Sequence, residues 1–215
     1  YSPALFGYTD TSNDPRDYPP DHEYMSTYEG PLPGIEPVVP MSADGAAWAG
    51  WLENLGYTVP EPTALLYTQK SDQIEYEKGG SVPAPLALPR EHNDTRFMVD
   101  SAINYIGEQQ DNWLVHLSLL RPHPPWIAPE PYNAMYSPEE LQNFERQPDI
   151  ETEAKQHPLL NHYLHLPYHF VTNDDKKTAR LKASYFGLMT EVDDNLGRLF
   201  EFLKKTGQWN DTLII

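Results

Sequence analysis

The chain has 215 residues, 39% of them hydrophobic and 12% aromatic, enough for one substantial domain with its own core rather than a disordered segment. Its formal net charge of −17 argues against nucleic acid and an anionic membrane surface as partners, and no apolar run nears the ~18 residues of a membrane helix. Cysteine is absent, which excludes disulfides, thiolate zinc sites and a cysteine nucleophile within these residues. The acidity serves solubility alone, or it obliges any anionic substrate to find a local cation, from a metal or a His, Lys and Arg cluster. Twenty-two prolines, about twice the average usage, predict long ordered connections.

In chain order, residues 1–8 (YSPALFGY) read as a turn followed by a short buried strand through Ala4 to Gly7. Residues 9–15 (TDTSNDP) are turn formers, either a plain turn at a strand end or a hydroxyl-rich ligand loop, with the plain turn as default. Residues 17–41, dominated by proline, tyrosine and acids without periodicity, predict an ordered surface excursion. From Asp44, the apolar positions Ala47, Trp48, Trp51, Leu52 and Leu55 follow helical spacing up to Gly56, a residue suited to a left-handed cap. A second excursion over residues 57–91 holds a weak strand at 64–68.

Asn93-Asp94-Thr95 then caps a helix with Phe97, Met98, Ala102, Ile103 and Ile106 on one face. The apolar run 113–120, broken only by His116 and Ser118, predicts a central strand buried on both faces, as in a mostly parallel sheet. Pro122, Pro124 and Pro125 end it, because proline has no N–H to donate. His123 is thus held between prolines just past the carboxyl end of a strand, where open α/β sheets bind ligands. Stiff neighbours also lower the entropy cost of keeping one imidazole in place.

Ser137-Pro138-Glu139-Glu140 predicts another helix start. Residues 149–171 contain His157, His162, His165 and His169. Their irregular spacing, with no carboxylate set as in a His-x-x-x-His helix, makes packing and surface placement the default over metal binding. Asn173, Asp174 and Asp175 predict the cap of a long helix to Thr206, with Tyr185, Leu188, Met189, Val192, Leu196, Leu199, Phe200 and Leu203 as its apolar stripe. Gly187 and Gly197 within it call for close packing against a neighbour. Glu191, Asp193 and Asp194 read as a mostly solvated face. Residues 212–215 (TLII) look like an unfinished strand, so both ends are expected to be cut and the chain to be an internal piece of a longer protein.

Five segments carry a resemblance. They are YSPALFGYTDTSNDPR at 1–16, the Gly-Trp helix around 48–57, LSLLRPHPPWIAP at 117–129, YNAMY at 132–136, and YFGLMTEVDDNLGRLFEFLKKTGQWNDTLII at 185–215. Their order and the gaps between them resemble the sulfatase and phosphonate monoester hydrolase branch of the alkaline phosphatase superfamily, over nearly the whole chain. The resemblance implies an α/β sandwich, with a mixed, mostly parallel sheet and helices on both faces. Residues 1–215 are then the central part of a catalytic domain.

It also implies hydrolysis of sulfate, phosphodiester or phosphonate monoester bonds by a formylglycine beside a divalent metal, Ca or Mn, neither ligated by residues present here. The implied partner is a small anionic ester, with no nucleic acid and no membrane; the long excursions suggest a homo-oligomer. The alternative is a truncated or degenerate chain serving as a noncatalytic binding or assembly module.

By position, His123 matches the family histidine that contacts the transferred group or protonates the leaving oxygen, and an imidazole can supply a cation or a proton near neutral pH. Tyr8 matches a substrate-pocket tyrosine. Where the family continues Tyr-Thr-Thr this chain has Asp10, so Thr9 or Thr11 takes the hydroxyl role. Arg121 pairs with the substrate or forms a structural ion pair.

Overall fold

The computed structural model describes residues 3–12, 14–22, 25, 27–42, 45–70, 84–141, 145–166 and 174–215. His169, Asn173, Asp44, the first two residues and residues 71–83 lie outside them. Three strands form a parallel sheet in the order β2-β1-β3: β1 Ala4–Gly7, β2 Glu36–Pro40 and β3 Val115–Leu117. β1 is buried throughout, as its apolar run requires. Ala4 and Phe6 join one core with Trp48 and Leu52 of α1 (Ala46–Asn54) and Met98 and Ala102 of α2 (Asp94–Glu108). Strand alternation turns Leu5 to the opposite face, where it is also buried.

Two strand expectations change. The run 113–120 forms only the three-residue β3, half-buried with His116 exposed, and among the described residues β3 lies at an edge; β1 is the central strand. Prolines after Arg121 and polar residues before Trp113 leave few positions able to ladder. Conversely, the excursion 17–41 contains β2, whose two prolines and exposed residues hide it from a periodicity reading. β2 sits beside β1 as an edge among the described residues, where proline is tolerated.

The weak strand at 64–68 is instead a 3-10 turn, Thr63–Leu66, seeded by Pro62, whose carbonyl accepts from Leu65 N at 3.0 Å. Ser137 is likewise followed by a 3-10 turn, Pro138–Leu141. Residues 212–215 make no strand with described residues and are largely exposed.

Two helices, α2 and the long one from Asp175, begin where their caps predict. Asn93 Oδ1 accepts from Arg96 N at 3.0 Å, satisfying one of the first-turn donors. Two short helices, α3 Ile150–Ala154 and α4 Pro158–Leu164, occupy the histidine-rich stretch. Its described histidines make local contacts: His157 caps α4, and His165 Nδ1 donates to Asn161 O at 2.7 Å.

The long helix α5 (Asp175–Lys205) is capped by Asp174 and ends before Gly207, at φ 76°. Its buried side is rotated from the expected stripe, with Ala183, Ser184, Gly187, Leu188, Glu191 and Asn195 inside and Met189 outside. Glu191 therefore corrects the solvated-face expectation, since it is 0% exposed. Asn93 and Asn195 donate side-chain N–H groups to its Oε1 at 2.9 and 2.6 Å, which offsets part of the cost of burying it. Gly187 packs against the Tyr132 backbone and Ala128, whereas nothing lies within 4 Å of a Cβ at Gly197. No helix among the described residues is long and apolar enough to cross a membrane.

Candidate active site at the carboxyl edge of the sheet

β1 and β3 run parallel, so the segments leaving their carboxyl ends, residues 8–12 and 118–125, emerge at one edge of the sheet. That topology brings the predicted residues to a common side. Ser118 N donates to Phe6 O at 2.8 Å, continuing the pairing one step past β3. Gly7, at φ 105°, turns the chain out of β1 beside Ser118, a conformation that L side chains rarely adopt.

After Gly7 the chain makes a tight turn. Thr9 Oγ1 lies 2.7 Å from Gly30 O, and Thr11 Oγ1 donates to Thr9 O at 2.9 Å. These hydroxyls brace the turn against the excursion that leads to β2. Asp10 sits at its tip, exposed, with φ 49°. Aspartate tolerates this left-handed region, while a β-branched threonine would be strained.

Tyr8 is half-buried, and burial first, then the carboxylates of Asp10 and Glu29, push its phenol above its ordinary value. It stays protonated at neutral pH and can donate to a substrate oxygen.

The loop from β3 carries His123 and Arg121. His123 N donates to Leu120 O at 2.9 Å, closing a turn, and the imidazole is exposed. Its Nδ1 lies 2.8 Å from Pro124 O. A carbonyl only accepts, so Nδ1 carries the proton and Nε2 is left for an incoming group.

Arg121 faces the other way and is 4% exposed. Its Nη1 donates to His123 O at 2.9 Å and Pro125 O at 2.7 Å. Nε lies 3.5 Å from Asp94 Oδ2, and the guanidinium stacks 4.2 Å from the centre of the Tyr67 ring. Sequence reading did not single out Asp94 and Tyr67 as parts of this site, because the contacts join segments far apart in the chain. The aspartate's place in the first helical turn was the only signal.

A second polar cleft, of about 290 Å³, gathers Arg90, Arg96 and Arg198. Its arginines already face carboxylates, Glu91 for Arg90 and Asp100 for the other two, so it offers little uncompensated positive charge to an anion.

The divalent metal and formylglycine implied by the resemblance do not fit the residues present. The chain has no cysteine to convert, and among the described residues no three His, Asp or Glu side chains are grouped to hold an ion. What the edge offers is hydrogen-bond donors and one imidazole.

The chain is 34% identical over its whole length to the multifunctional alkaline phosphatase superfamily protein PehA of Trinickia caryophylli, covering 43% of that protein. It is 23% identical, over 62% of its length and 27% of the relative's, to an arylsulfatase of Clostridium perfringens. Its fold superposes along the full chain, with a TM-score of 0.85, on phosphonate monoester hydrolases of Agrobacterium radiobacter and Silicibacter pomeroyi, at 35% and 36% identity and covering 44% of each. The chain thus spans less than half the length of the relatives it matches. The sulfatase family model matches residues 6–215, and the chain belongs to the sulfatase family.

Proposed function

We propose that the complete protein hydrolyses small anionic esters, with phosphonate monoesters and phosphodiesters ahead of sulfates, and that this chain supplies the substrate side of its active site. The observation that carries the reading is the likeness to phosphonate monoester hydrolases along the full chain. It includes the edge where the loops after β1 and β3 meet. Sulfatases generally use a metal and a formylglycine, and those groups provide electrophilic assistance and the nucleophile when present.

The residues here do the rest. His123 presents Nε2 to the ester, where a protonated ring stabilises negative charge or gives its proton to the leaving oxygen. Tyr8, kept protonated, donates to a non-bridging oxygen. Thr9 and Thr11 hold the Tyr8 turn and are the next hydroxyls along it. The acidic surface disfavours approach of an anion, so local donors must outweigh the global field.

The test is hydrolysis by the complete protein of the p-nitrophenyl esters of phenylphosphonate, phosphate diester and sulfate. Turnover of the phosphonate monoester, with weaker turnover of the sulfate, supports the reading. A folded, metal-supplied protein that turns over none of the three is the noncatalytic module instead.

A further inference from the structure

The loop that carries His123 is poorly equipped to hold itself. Pro122, Pro124 and Pro125 have no N–H, so its backbone can donate little to its own carbonyls. Arg121 compensates from below, since one nitrogen, Nη1, donates to the carbonyls of His123 and Pro125, on either side of Pro124. The guanidinium is fixed in turn. Asp94 Oδ2 faces Nε, Tyr67 covers its plane, and the Tyr67 hydroxyl donates to the same Oδ2 at 2.9 Å. Asp94 is held by the start of α2, where Thr95 N donates to its Oδ1 at 3.0 Å. The three side chains are all buried, while His123, which they support, is exposed. An exposed imidazole on a tightly held base is the arrangement of a side chain kept in one pose for work.

We propose that Arg121, locked by Asp94 and Tyr67, is a positioning residue for His123: it clamps the carbonyls of His123 and Pro125, fixes the ring with its Nδ1 proton on Pro124 O, and thereby aims Nε2 at the sheet edge. This rests on the reading of His123 as a substrate-side group. Arg121 makes no substrate contact of its own, and Asp94 and Tyr67 act through it. A lysine in its place keeps the charge but loses the planar group that stacks on Tyr67 and faces Asp94 through Nε while Nη1 reaches the two carbonyls.

The experiment uses the complete protein carrying Arg121→Lys, with p-nitrophenyl phenylphosphonate as substrate and selective ¹⁵N-histidine labelling. The His123 signals are identified by their loss in His123→Gln. The expected result is a fall in kcat of about 10- to 100-fold with KM within about twofold, since misplacement of a catalytic group acts on turnover. The His123 ring also moves from the Nδ1–H tautomer to a mixture. Tyr67→Phe, which keeps the stacked ring and removes only the hydroxyl on Asp94, lowers kcat in the same direction by a smaller factor.

A raised KM with kcat intact makes Arg121 a substrate contact and overturns the proposal, as does unchanged kcat in a folded Arg121→Lys protein. Should that variant fail to fold, the unmodified protein still decides: a predominant Nε2–H tautomer at His123 overturns the clamp. Unchanged turnover in His123→Gln sinks the underlying reading instead, and it is told apart because the tautomer measurement does not depend on activity.

Discussion

Gly7 and Ser118 approach so closely that a Cβ on Gly7 would lie 2.5 Å from Ser118 O and 2.7 Å from Ser118 Cβ. This contact joins the two points where the candidate loops leave the sheet. It explains how a turn after β1 and a proline loop after β3 come to share one edge. Any side chain at residue 7 must push these loops apart and also adopt φ 105°. We therefore expect Gly7→Ala to destabilise the protein by roughly 2–5 kcal/mol through strain and overpacking together. Denaturant unfolding measures it, and a loss under about 0.5 kcal/mol means that the contact yields without cost.

The two glycines of α5 should respond in opposite directions. A Cβ at Gly187 meets the Tyr132 backbone, with Tyr132 C at 3.0 Å and Ala128 Cβ at 3.4 Å, whereas a Cβ at Gly197 meets nothing within 4 Å. Gly187→Ala is expected to cost about 1–3 kcal/mol by overpacking, and Gly197→Ala to stabilise by about 0.5–1 kcal/mol through helix propensity. Equal shifts in melting temperature for the two variants contradict this packing of α5 on the segment around Tyr132.

Much of the fold was legible from the chain alone, and the exceptions are instructive. β1, α1, α2 and α5 announce themselves by apolar spacing and by Gly56, Asn93 and Asp174 at their ends, because capping and periodicity are local physics. β2 was not legible. It reads EPVVP, and only the parallel partnership with β1, 30 or so residues away, makes it a strand.

Glu191 misled for a related reason. A carboxylate on a long helix is normally solvated, and burial here depends on amide donors from Asn93 and Asn195. The position of His123 after a strand was readable from its prolines, but Arg121's inward orientation was not. Its partners Asp94 and Tyr67 lie 27 and 54 positions upstream, and no local pattern links them to it.

Glu191 gives stability a pH dependence. Burial raises its carboxyl to about 7 from an ordinary 4.5; the Asp94 charge adds to the rise, while Asn93, Thr95 and Arg121 oppose it. Between those values the folded chain holds a proton that the unfolded chain has released. The contribution is therefore fully present below about pH 4.5 and is lost as pH rises through 7, on the order of 3 kcal/mol in all. In Glu191→Gln this slope disappears. Unfolding free energies of both proteins from pH 5 to 8 check it, and parallel curves would mean that Glu191 does not titrate in this range.

The most direct measurement of the whole account is the turnover of His123→Ala in the complete protein, with fold and metal content matched to the unmodified protein. With Nε2 of His123 facing the ester, kcat for the phosphonate monoester should fall about 100-fold or more, the size of a lost acid or charge-stabilising group. A variant that turns over at the unmodified rate places the chemistry elsewhere and leaves His123 as an exposed loop residue.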